Sequence, residues 1–252
     1  MPIKYVNIIY MFFIRLLQHS NDITHILMAG VSFVIIIALT ITMHEYGHAF
    51  AALKCGDPTA KIRGRLTFNP LAHFDPMGIV MMLLVGFGWA KPVPVDPNNF
   101  KNYKAGMVLV SIAGVATNIV MAGIWLLLLY LAGGPLLYHA TFGGQAVKVF
   151  CLLGYYLIIY GVTLNFMFAF FNLLPIAPLD GFNLLNTFLP RGNGFTEFMR
   201  RYGFMVLIGL IVIGSIGNMV GFPYLSIFGM FGELINRLVV LVRNASIANL
   251  NI

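Results

Sequence analysis

An all-α, polytopic membrane protein with about six transmembrane helices is what three observations predict. Of the 252 residues, 60% are hydrophobic and only 9% charged, and the mean hydropathy is +0.89. Apolar runs recur at lengths that suit a hydrocarbon layer of about 30 Å, which about 20 helical residues cross. The few Lys and Arg residues cluster between these runs. Residues 1–252 are therefore expected to form a single integral membrane domain, with a core over 26–190 and C-terminal helices over 203–243.

The first expected span, near 5–18, is short and interrupted by Arg15. Lys4 gives only a weak basic start, and no small-residue cleavage site precedes His19 and Asn21, so a retained helix that crosses or lies in the interface is expected instead of a signal peptide. The second span, 26–53, is a long Ile/Val/Leu-rich run. Between it and the third span, Pro76 to Trp89 is apolar but too short to cross. Its glycines and the Pro92-Val93-Pro94 triplet fit a short re-entrant or β-rich loop near 64–98, which serves either to receive a substrate strand by β-addition or as a lid. The third span, 107–132, carries small residues at Ala113, Gly114, Ala122 and Gly123, with Gly106 just before it, that suit close helix packing. A Gly-rich connection over 133–145 leads to the fourth span, 146–172. Pro175 and Pro178 then break the chain before spans at 203–221 and 224–242. The 22 Phe residues are expected mainly against lipid.

Charge gives orientation. Lys54, Lys61, Arg63, Arg65, Lys91, Lys101 and Lys104 follow the second span, and Arg191, Arg200 and Arg201 follow the fourth, so both loops are expected to face the cytoplasm. The other side has only Arg15 and Lys148 nearby. The net charge of +7 is thereby explained by topology and anionic lipid, and no basic helix or aromatic-basic module argues for nucleic acid. Cys55 and Cys151 fall on opposite halves of their spans and are expected as free thiols.

One stretch carries chemistry. Thr42-Met-His-Glu-Tyr-Gly-His-Ala49 contains HExxH: His44 and His48, four residues apart, share a helix face and offer two imidazoles to one metal, with Glu45 beside them as candidate general base. From Ile26 to Leu53 these three are the only His or charged residues, and an ionisable group inside a membrane costs roughly 3 kcal/mol or more, which marks a functional site. Between Asp96 and Glu197 the single carboxylate is Asp180, which follows the fourth span's broken end. Two His and one carboxylate, with a fourth position open to water, is a zinc-hydrolase donor set. The competing reading is that Asp180 caps a short helix beginning at Gly181, although that leaves the two prolines unexplained.

His44-Glu-Tyr-Gly-His48, followed by Asn172-Leu-Leu-Pro-Ile-Ala-Pro-Leu-Asp-Gly181, resembles the site-2 protease family of intramembrane zinc metalloproteases, in its compact form without PDZ or CBS domains. Gly64 to Pro76, Gly88 to Phe100 and Ser111-Ile-Ala-Gly114 with Asn118 extend the resemblance over most of 26–190. It implies that His44, His48 and Asp180 ligate one Zn2+, that Glu45 is catalytic, and that Asn172 lies near the substrate carbonyl as a donor. Asn118 is open between a similar polar role and an interhelical hydrogen bond. His73 is open between an accessory contact and a turn histidine satisfied by Asp75. Val115 and Ala177 stand where relatives often carry proline, which bears on local helix geometry and not on the ligands.

The expected function is zinc-dependent cleavage of peptide bonds in or near transmembrane segments of membrane-protein substrates, at the cytoplasmic side of the inner membrane. The alternative is a catalytically silent binding or escort protein of the same fold. A metal transporter is disfavoured, because the ionisable groups form one cluster and no path across the bilayer. Neither the substrate nor the oligomeric state is legible in the residues.

Overall fold

The computed structural model describes residues 22–78, 80, 88–190, 192–219 and 226–250. The expected span at 5–18 lies outside these residues. Among the described residues the secondary structure is helical, with one isolated antiparallel bridge between Phe74 and Ala90. We number the helices α1 (Ile23–Cys55), α2 (Thr59–Ile62), α3 (Tyr103–Phe142), α4 (Gln145–Asn172), α5 (Asp180–Asn186), α6 (Gly194–Met219) and α7 (Ile227–Ala248). Short 3-10 turns occur at Pro70–Ala72 and Pro97–Asn99.

Helices α1, α3, α4 and the Gly194–Gly217 part of α6 are long and apolar enough to cross a membrane. Their sequences are rich in β-branched residues, which in water would favour strands. In hydrocarbon the backbone must satisfy itself, and only a helix does so within one segment. Large apolar side chains stay exposed along α1 (Leu27, Val31, Val34, Ile35) and α3 (Ile119, Val120, Leu127, Leu131), as lipid-facing surfaces require. Asp22 supplies the N-terminal cap of α1, its carboxylate accepting the Thr24 amide at 2.9 Å and pairing with Lys148.

The expected loop at 133–145 is mostly helix instead. α3 runs on through Pro135 to Phe142, leaving a turn at Gly143 and Gly144. The Gly134 amide donates to Ser246 Oγ at 2.8 Å, a side-chain partner of the kind that lets a proline persist inside a membrane helix. The last expected span does form a helix, α7, but Glu233, Arg237 and Arg243 make it amphipathic and it is not among the four apolar crossings.

Contacts divide the chain into two compact units, residues 1–38, 119–167 and 214–252 in one, and 39–118 and 168–213 in the other. The first is organised on Leu129, Ile158, Val162, Ile235 and Val239, contributed by α3, α4 and α7. In the second, Ile176 and Leu179 from the Pro-broken segment pack on Leu207 of α6. That packing fixes the start of α5, and with it Asp180.

Candidate metal centre

Residues four apart on a helix share a face, and His44 and His48 on α1 are both buried, at 5% and 8% exposure. Asp180 is the first residue of α5, reached after α4 ends at Asn172 and the chain turns through Pro175 and a cis Ala177–Pro178 peptide. Asp180 Oδ2 lies 3.3 Å from His44 Nε2 and 3.1 Å from His48 Nε2, and the two Nε2 atoms are 3.0 Å apart. Of the two sequence readings of Asp180, the imidazole contact is the one formed: the helix begins at Asp180 itself and not at Gly181, Leu179 stands at its N-cap position, and no side-chain capping hydrogen bond is made there.

The protonation pattern of this triangle asks for a cation. His48 Nδ1 lies 2.7 Å from the Val110 carbonyl oxygen. A carbonyl only accepts, so Nδ1 carries the proton and, in the neutral ring, Nε2 presents a lone pair. Asp180 Oδ2 is buried without a hydrogen-bond partner among the described residues. Acceptors facing one another in a low-dielectric interior repel, and a metal ion between them reverses the sign. The dimensions fit: a tetrahedral ion with ligands at about 2.0 Å has ligand–ligand edges of about 3.3 Å, against the observed 3.0, 3.1 and 3.3 Å. The Nδ1–carbonyl bond is also the outer-sphere contact that orients a ligating imidazole. His44 Nδ1 has no such partner among the described residues; Phe168 meets its ring edge-on at 6.2 Å.

A third helix closes the site from the side. A Cβ on Gly114 of α3 would sit 2.3 Å from His48 Nε2 and 2.6 Å from His44 Cε1, so only glycine permits this approach. One turn away on the facing helix, a Cβ on Gly47 would meet Thr117 Oγ1 at 2.5 Å. Gly114 reads in sequence as a packing residue; its bearing on the imidazoles depends on an interhelical distance that spacing does not encode.

Glu45 stays out of the ligand triangle. Its carboxylate is buried, and Oε2 accepts the backbone N–H of Val93 at 2.9 Å. A buried carboxylate beside the ligands, held by a neutral donor and not by a cation, is equipped to take up a proton.

Other sequence candidates are placed differently. Asn172 closes α4, and its Nδ2 donates to Phe168 O at 3.1 Å, within its own helix. Asn118 is fully buried, and neither amide atom has a hydrogen-bond partner among the described residues, so the interhelical bond considered for it is not formed there. His73 is fully buried and donates from Nε2 to Thr67 O at 2.9 Å. Its expected partner Asp75 accepts instead from the Gly78 amide at 2.9 Å, because the turn aims that carboxylate along the chain. Cys55 and Cys151 are free thiols, as expected.

Comparison with known proteins gives a consistent picture. The profile of peptidase family M50 matches residues 32–214, well over half of the chain. A Bacillus subtilis protein named "Putative zinc metalloprotease YwhC" is 40% identical over 195 residues, covering 77% of this chain and 85% of the relative. "Putative zinc metalloprotease Rip2" of Mycolicibacterium smegmatis is 29% identical over 195 residues, covering 74% of this chain and 70% of that protein. The Mycobacterium tuberculosis protein of the same name is 32% identical over 169 residues, covering 64% of this chain and 59% of its own. No solved structure matches the chain significantly.

Proposed function

The chain belongs to peptidase family M50, the site-2 proteases, and from that membership we propose that it is a zinc-dependent intramembrane endopeptidase acting on transmembrane segments of other membrane proteins. One observation carries the reading: two buried imidazoles and the buried Oδ2 of a half-buried carboxylate converge at 3.0–3.3 Å, with a second carboxylate beside them that is not a ligand. A binding protein could use the triangle, but it has no need of Glu45, whose retention in an apolar helix is costly.

His44, His48 and Asp180 would hold one zinc ion. When bound, zinc lowers the pKa of a water and polarises a carbonyl oxygen. Glu45 takes a proton from the attacking water as the oxygen–carbon bond forms, and returns it to the amine nitrogen as the carbon–nitrogen bond breaks. The Val110 carbonyl keeps His48 in the tautomer that offers Nε2. Asn172 Nδ2 gives one of its two N–H groups to the Phe168 carbonyl, and the other would be the one to donate to the substrate carbonyl oxygen.

The positive-inside distribution supports a site that faces the cytoplasm of the inner membrane, on the side of the Lys61–Arg65 and Arg200–Arg201 segments. The substrate class follows from the setting: a helix within a membrane, unwound at the site so that its peptide bond reaches water. Purified protein in detergent should cut a single-span peptide with helix-destabilising residues near its cytoplasmic end. 1,10-Phenanthroline should stop the cutting and added zinc restore it. If several such peptides remain intact while still binding tightly, the escort reading replaces this one.

A further inference from the structure

The segment 90–96 has no regular secondary structure, yet it is tied down at both ends. At one end Phe74 and Ala90 form the antiparallel bridge, the Lys91 amide donates to His73 O at 2.9 Å, and Arg65 Nη2 donates to Lys91 O. At the other, the Asp96 amide donates to Asp57 Oδ2 at 2.8 Å. Asp57 is fully buried and also accepts from Thr59 N and Asn99 Nδ2 at 3.0 and 2.9 Å. Between these anchors stands Pro92-Val93-Pro94. Proline has no N–H, so Val93 carries the only amide hydrogen of the triplet, and the following Pro94 restricts Val93 to extended backbone. That single donor meets Glu45 Oε2.

We propose that this strap is a positioning device for the general base: the Val93 N–H, aimed by the two prolines and held in place by Arg65, fixes one oxygen of Glu45 and leaves the other to accept the proton. A glutamate on a helix has three rotatable bonds, and its proton transfer requires a heavy-atom approach of about 2.6–3.2 Å to the water it deprotonates. Tying down Oε2 removes most of that freedom before substrate arrives. Arg65 is 8% exposed, with its guanidinium directed at a backbone carbonyl. No carboxylate pairs with it among the described residues. Burying a cation for the sake of a loop carbonyl is intelligible if the loop's placement matters. Arg65 and Val93 are thus positioning residues; neither is a ligand.

The inference rests on the protease reading, and its test has one arm that needs no catalysis. Residue-resolved hydrogen exchange on the full-length protein should find the Val93 amide protected, and at least tenfold faster in Glu45→Ala. A Val93 amide that exchanges at the unprotected rate in the wild type, or equally fast in both proteins, overturns the contact whether or not any peptide is cut. The second arm is kinetic. Val93→Pro deletes the one donor while keeping extended backbone, and Arg65→Ala loosens its anchor. Both should lower kcat about tenfold or more, with KM within about twofold and zinc content unchanged. Arg65→Lys, which can still reach Lys91 O, should recover much of the loss. A raised KM at unchanged kcat would mean that the strap contacts substrate, and loss of zinc would mean that it merely supports the fold; either result rejects the positioning role. Absence of cleavage by the wild type would count against the protease reading, with hydrogen exchange still deciding the contact.

Discussion

His44, Glu45, His48 and Asp180 were legible as candidates because an ionisable side chain in an apolar run has so few innocent explanations. Gly114 was not, since in one dimension it is a small residue in a helix. Its significance is a distance: the Cβ that alanine would add lies 2.3 Å from His48 Nε2. Gly114→Ala should therefore push α3 or the imidazoles aside and weaken zinc retention at least tenfold, with helix content preserved. Zinc per chain after dialysis against a mild chelator, with circular dichroism as control, measures this. Val93 and Arg65 were missed for a related reason. Their contributions run through a backbone amide and a backbone carbonyl, which sequence spacing does not display. Asn172 was singled out by resemblance alone, and its amide is engaged within α4.

At the level of elements, the apolar lengths located α1, α3, α4 and α6 to within a few residues, apart from the ends where helices extend beyond the hydrocarbon. The start of α6 was missed because Glu197, Arg200 and Arg201 occupy its first turns, outside the apolar run. The reading failed over 133–145, where the glycines predict a connection, while the Ser246 hydroxyl makes a helix through Gly134 and Pro135 tolerable. Within the loop after α1, Asp57 is the organising element. Burial works against its charged form, but hydrogen bonds from the Thr59 side chain, the Asp96 amide, the Asn99 side chain and the Thr59 amide outweigh it and hold its carboxyl below the usual range. A depressed folded pKa stabilises above the unfolded value and is lost as pH falls through the folded one. Thermal stability in detergent should accordingly fall below about pH 4. Asp57→Asn should be less stable at neutral pH and show a smaller fall. Asp57→Ala, which removes the acceptor that the Thr59 amide, the Asp96 amide and the Asn99 side chain share, should cost about 1–3 kcal/mol. An unchanged acid limb in both variants would remove Asp57 from this role.

The whole molecule combines long apolar helices with a buried cluster of His44, His48, Glu45 and Asp180, and the proposal that this cluster opens toward the cytoplasm rests on the loop charges. Lys61, exposed on α2, and Gly144, in the turn between α3 and α4, are suited to cysteine substitution. In a Cys55→Ser, Cys151→Ser background, Lys61→Cys should react with a membrane-impermeant maleimide only after the inner face is opened, and Gly144→Cys from the outside. The reverse pattern would invert the topology. The central claim is narrower: a zinc site of His44, His48 and Asp180 served by Glu45 as base. Its most direct test is to measure zinc per chain and peptide cleavage on the same preparation of Glu45→Gln. The account predicts close to one zinc per chain with cleavage reduced about a hundredfold or more. Zinc lost along with cleavage would contradict the division between ligands and base, and cleavage retained at the wild-type rate would contradict the mechanism.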